Sequence, residues 1–264
     1  MKKNIIDIAG KDWSGEEIGG NFHCRDKALT SLKGAPNNVE KSFFCSTNFL
    51  VSLECGPETV GGTYEAYFNN LTSLKGAPQR IVGDFLVYDN SLKTLVGGPK
   101  IVFGDYRCDK NKLTSLRGAP KEIGGDFNCR DNELESLGGG PSKVIGDYDC
   151  SYNITLKSLK GAPKKVDGYF NCGHCALTSL EFAPKEVSGN FECSYNGITT
   201  LDGFKTKIGG RFMANDNPNP HLEREYEMRL SYPKASDSEI KKMMYKETKD
   251  KHYLSEEVKD IFLF

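Results

Sequence analysis

The chain has 264 residues, with 35 Lys and Arg against 36 Asp and Glu and a net charge of −1. That balance excludes a general bias toward polyanions or membrane surfaces, and a negative mean hydropathy with no apolar run near ~18 residues gives no membrane-spanning helix. Nine cysteines, an odd number in a chain of this size, argue against a small disulfide scaffold and for reduced thiols in the cytoplasm.

The chain opens MKKNIIDIAGKDW. Two lysines precede an apolar patch, but Asp7 breaks it after Ile5 and Ile6, so no cleaved leader is expected. Residues 1–17, with Ile5, Ile6, Ile8 and Trp13, read as a cap over the first coil of a repeat.

The repeat occupies most of the chain. LTSLKGAP runs from Leu29 to Pro36 and again from Leu71 to Pro78, with LTSLRGAP at Leu113–Pro120 and LKSLKGAP at Leu156–Pro163. Prolines at 36, 57, 78, 99, 120, 141, 163 and 184 set a period of 21 residues, lengthened once near Thr155. An aromatic column runs Phe22, Phe43, Tyr64, Phe85, Tyr106, Phe127, Tyr148, Phe170, Phe191, Phe212. Two residues on stands a small apolar group, usually Cys. Three further on stands Asn, except at Lys27 and Cys175, and leucines come at two and five beyond.

The alternation F-x-C puts ring and thiol on one face of a short strand. A 21-residue unit is too short for two helices and a turn. It fits one coil of a parallel β-solenoid, each coil adding a strand to a growing sheet across residues 18–217. Glycine supplies the corners, and proline favours an extended return path. The predicted class is therefore mainly β, a solenoid of about ten coils with a small helical C-terminal region.

The pattern F-x-C-x-x-N-x-L-x-x-L resembles the leucine-rich repeat, L-x-L-x-x-N-x-L, with an aromatic and Cys in the first two leucine slots. The short period and the L-x-x-L-x-x-x-P ending are similar to the compact leucine-rich repeats of secreted effectors from enteric bacteria. The wording L-T-S-L-x-G-A-P-x-x-V-x-G-D-F-x-C is similar to repeat proteins encoded by large tailed bacteriophages. The resemblance covers about residues 18–217 and implies a solenoid of leucine-rich-repeat type. The effectors often carry a C-terminal ubiquitin-ligase domain with a catalytic cysteine. Here residues 218–264 come after the repeats and none is Cys, so that activity does not carry over.

Stacked about 4.8 Å apart, the columns become ladders. The rings pack in offset fashion, and the Asn amides are expected to bond backbone groups at the corner after the strand. Val87, Ala66 and Ala214 share the Cys slot, so the position asks for a small apolar group rather than for metal or redox chemistry. CGHC, Cys172–Cys175, is the one local metal candidate, but Cys172 is expected to point inward and His174 outward. No metal or other cofactor is expected.

After Asn217 the pattern changes. Pro218 and Pro220 interrupt, Leu222, Tyr226 and Leu230 recur at helical spacing, and SDSE at Ser236–Glu239 has the capping-box form. Ser255 is placed to cap a last helix bearing Val258, Ile261 and Phe262. Residues 218–264 read as a cap on the final coil or as an arm for self-association or a partner.

The outward columns vary from unit to unit while the inward ones barely change. Phe44, Tyr67, Phe68, Leu86 and Tyr88 are expected to form one exposed patch suited to protein contact. Beyond it lie Asp109 and Asp149 with Arg107 and Arg130 interspersed, and an acidic row of Asp84, Asp105, Asp126 and Asp147 that either faces a partner or caps backbone. No nucleotide-binding, zinc-protease or hydrolase motif occurs, and the histidines at 23, 174, 221 and 252 do not cluster. The expected function is a non-catalytic protein-binding scaffold in the cytoplasm, that of a bacterial host cell if the phage resemblance holds. On the phage resemblance, its partner is a host protein such as a component of antiviral defence. The alternatives are single-stranded nucleic-acid binding, opposed by the aspartates, and a structural role in a virion.

Overall fold

The structure, a computed structural model, describes residues 3–247. Among them the chain winds as a parallel β-solenoid of about ten coils, with two sheets rather than the single sheet expected from the repeat. Each coil lays down two strands of two residues, and like strands stack into two ten-stranded parallel sheets. In the aromatic sheet, Tyr106 pairs with Phe85 on one side and Phe127 on the other. The second sheet is built on the β-branched residue four positions before each ring, as in Val102, Ile123 and Val144. Strands this short leave no alternation to read, and the Gly next to several of these residues looks like a turn. That Gly is the corner between the sheets: a Cβ on Gly124 would stand 2.0 Å from the Phe103 carbonyl oxygen of the preceding coil.

The interior is made of the predicted columns. Nine of the ten column aromatics are buried, Phe22 at the open first coil being the partly covered one. Successive ring centroids lie 5.2–5.9 Å apart along the whole column. The Cys slot is buried throughout, and all nine cysteines are free thiols. Both leucine columns and the β-branched column complete the core.

The Asn ladder ties each coil to its neighbours. Asn111 Nδ2 donates to the carbonyls of Cys108 (3.1 Å) and Asp109 (3.2 Å) in its own coil and of Val87 (3.0 Å) in the coil before. Its Oδ1 accepts from Leu92 N at 2.9 Å. Cys175, in the same slot, keeps a weak form of this: Sγ lies 3.5 Å from the Cys150 and Gly173 carbonyl oxygens.

The open ends are covered. Helix α1 (Ile5–Ala9) has an Asn4–Asp7 capping box and buries Ile5, while Trp13 meets Phe22 edge-on at 6.0 Å. Helix α2 (Leu222–Ser231) lies across the last coil, with Tyr226 4.7 Å from Phe212. Two of its carboxylates accept backbone N–H groups that a further coil would otherwise engage: Glu223 from Ala214 (3.0 Å) and Glu225 from Leu201 (3.2 Å). Leu222 and Tyr226 are buried, whereas Leu230, expected on the same face, is 61% exposed. Residues 237–247 form another helix, opened by the Ser236–Glu239 capping box and anchored by buried Ile240. The Ser255 cap and the helix expected after it lie outside the described residues. No helix among the described residues is long and apolar enough to cross a membrane.

A candidate protein-binding face

Strand alternation sends the residues flanking the Cys slot outward from the aromatic sheet. The column before it holds Phe44, Leu86, Arg107 and Asp149. The column after it holds Tyr67, Tyr88, Asp109 and Arg130. The chain then bends. The residue before each ladder position takes a left-handed backbone, φ 50–57°, in all ten coils, although none is Gly. In most coils the Asn amide compensates by binding the two carbonyls just ahead of this bend. The bend forms a third outward column, to which Phe68, Tyr152, His174 and Tyr195 belong.

The expected patch exists in two parts. Tyr67 and Tyr88 stack at 4.5 Å, and Phe68, 51% exposed, meets both edge-on at 5.5 and 5.8 Å. Arg107 lies over Tyr88, 4.5 Å from the ring centroid. Phe44 belongs to a separate group, stacked on His23 at 4.7 Å and covered by the Arg25 guanidinium at 4.1 Å. Glu65, ion-paired to Arg25, comes after Phe44 in their shared column and stands between it and Leu86. Among the described residues no ring contact joins the two groups. Leu86 is half-buried.

Asp109, expected at the surface, is buried at 2% exposure. Its oxygens accept from Arg107 Nε (3.1 Å) and Nη2 (3.0 Å), so it orients the guanidinium over Tyr88 rather than meeting a partner. Asp149 Oδ1 accepts from both Ser151 N (2.9 Å) and Ser151 Oγ (2.6 Å). Arg130 lies over Tyr152 at 4.8 Å. The acidic row caps backbone: Asp84, Asp105 and Asp126 each accept the amide of the aspartate one coil on, at 2.7–2.9 Å. Desolvation, ahead of its aspartate neighbours, raises the Asp126 carboxyl above its usual range.

Two surfaces escaped sequence reading. On the second sheet, Val82, Ile101, Phe103 and Ile145 are each 43–50% exposed, with a hollow between Phe103 and Ile145 where Gly124 has no side chain. On the aromatic sheet, Tyr152, His174 and Tyr195 form a stack with spacings of 4.3 and 4.1 Å, beside a cavity of about 600 Å³. Cys172 and His174 point to opposite sides of the sheet: the thiol is buried, and the imidazole is in that stack. Among the described residues no group of three or more His, Cys, Asp or Glu side chains is placed to hold a metal ion.

Comparison with protein-family models, with curated proteins and with solved structures finds no match to the chain.

Proposed function

We propose that the chain is a non-catalytic scaffold that binds another protein through the outward face of its aromatic sheet. One cluster carries this reading. Tyr67, Phe68 and Tyr88 form a preassembled aromatic knob, exposed through Phe68 and fixed by Arg107. Stacked rings on a rigid sheet lose little side-chain entropy on binding and bury a large apolar area, the properties of an interface anchor. Arg25 and Arg107 are neutralised by Glu65 and Asp109, which weighs against a nucleic-acid backbone as the target. The leucine-rich-repeat and phage resemblances of the repeat wording refine the reading: the partner is a bacterial host protein met in the cytoplasm, such as a component of antiviral defence.

A pull-down from bacterial lysate tests it, with wild type beside a Phe44→Ala/Tyr67→Ala/Tyr88→Ala variant shown by circular dichroism to keep its fold. A protein retained by wild type and lost from the variant is the expected result. A lysate from which neither form retains anything specific counts against the scaffold reading.

A further inference from the structure

Aromatic stacks on this sheet are closed by cations held by the protein's own carboxylates. The His23–Phe44 stack ends under Arg25, paired with Glu65. The Tyr67–Tyr88 stack ends under Arg107, paired with Asp109. The third stack, Tyr152–His174–Tyr195, likewise has one cation, Arg130 over Tyr152. At the Tyr195 end the rings and carboxylates recur, but no Lys or Arg lines the cavity there.

That cavity is shaped by sequence. Its floor is Ser151, Gly173 and Ser194, where earlier coils place Tyr67, Tyr88 and Arg130. Tyr169 forms the opposite side, and Glu192 and Asp216 supply negative charge. Glu192 spends Oε1 on Ser194 N at 2.7 Å. The Ser194 hydroxyl, on a residue 5% exposed, has no partner among the described residues and so leaves a buried acceptor unused at the floor. Burial first, and then the charges of Glu192 and Asp149, hold the Tyr169 phenol well above its ordinary value, and a hydrogen bond to Asp216 raises that of Tyr195.

We propose that the groove beside Tyr152, His174 and Tyr195 takes an arginine or lysine side chain from an extended segment of the partner, pairing it with Glu192 and Asp216. This deepens the protein-binding reading and rests on it. The partner then presents a basic residue to this groove and an apolar surface to the Tyr67–Phe68–Tyr88 knob, nearer the N-terminal end of the same face.

The test is calorimetry on the full chain with acetyl-Gly-Arg-Gly-Arg-Gly-amide, its citrulline counterpart and spermidine. Binding of the arginine peptide should weaken with added salt. It should fall on the order of tenfold in Glu192→Gln/Asp216→Asn, which keeps the Oε1 acceptor and the turn. Glu122→Gln/Glu186→Gln, the same charge change on the other sheet, should leave it unaltered. Equal binding of the citrulline peptide, or no loss in the first variant, overturns the proposal. Spermidine binding as tightly as the peptide reassigns the groove to a free polyamine and overturns it too. A chain that still captures a partner through Phe44, Tyr67 and Tyr88 but fails here loses this assignment alone.

Discussion

The phenol oxygen of Tyr64 crowds the space that a methyl group on Gly56 would need: a Cβ built there would lie 3.1 Å from it, with Leu32 Cδ1 and the Leu53 carbonyl oxygen each at 3.0 Å. The relation recurs at Gly98 with Tyr106 (3.3 Å) and Gly140 with Tyr148 (3.4 Å). Where the ring is Phe43, Phe85, Phe127, Phe170 or Phe191, the residue eight before it is Ala. Ring and corner therefore vary together, hydroxyl against methyl, at constant core volume. The Tyr64 hydroxyl gains no nitrogen or oxygen partner in exchange among the described residues, the Cys45 thiol being its polar neighbour. Gly56→Ala should destabilise by about 1–3 kcal/mol through overpacking. In a Tyr64→Phe background part of that cost should vanish, a coupling of about 1 kcal/mol in a double-mutant cycle tracked by urea unfolding. Strictly additive effects would refute the pairing.

The ring, small-residue, Asn and leucine columns were legible in the sequence, because one physical requirement on residue type is restated coil after coil. Rings inward, small residues beside them and a bonded Asn arise from geometry that each coil shares. The outward face was legible only as separate residues. Whether Phe44 joins Tyr67 depends on Glu65, and Glu65 is held by Arg25, 40 positions away. Asp109 reads as a surface charge until Arg107 folds back over it. The Tyr152–His174–Tyr195 stack escaped because its column sits on a left-handed bend, which a scheme of strand alternation does not track. The second sheet escaped because one β-branched residue per coil carries no alternation of its own.

Asn111 joins two coils through four hydrogen bonds, three donated and one accepted. An alanine there leaves buried backbone groups of both coils without partners. The expected loss is about 2–3 kcal/mol. Because stacked repeats unfold as neighbour-coupled units, amide exchange should accelerate most at Leu92 and the adjacent bend. Uniform acceleration along the chain would show that the ladder does not act locally.

The corner before each Ala-Pro or Gly-Pro pair is also left-handed, and Gly fills it at positions such as Gly76 (φ 93°) and Gly118 (φ 103°). Cys55 (φ 64°) and Phe182 (φ 66°) are the side-chain-bearing exceptions, and Phe182 is 52% exposed. Phe182→Gly should stabilise by roughly 1 kcal/mol through relief of backbone strain. Thermal unfolding decides it. An unchanged or lower midpoint would mean that the half-covered ring contributes more than the bend costs.

The thiol ladder predicts how stability responds to alkali. Burial pushes the Cys24 thiol from its ordinary 9.0 up to about 12. Burial likewise raises Cys45, Cys108, Cys129, Cys150, Cys172 and Cys193. An unfolded chain releases these protons near its ordinary thiol value, while the folded chain holds them to higher pH. The unfolded state therefore binds fewer protons in between, and stability falls with rising pH there. The contribution is complete below about pH 9 and is lost as pH climbs toward about 12. Buried Tyr64, Tyr106 and Tyr148 act in the same sense. Urea midpoints measured across this window should drop steeply. Cys129→Ala, copying the residue found in that slot at Ala66 and Ala214, should make the drop shallower. In a thiol titration of the native protein, exposed Cys55 should react first and the seven buried ladder thiols only on unfolding. Prompt labelling of the whole set at neutral pH would place those sulfurs outside the core and remove the basis for the alkaline effect.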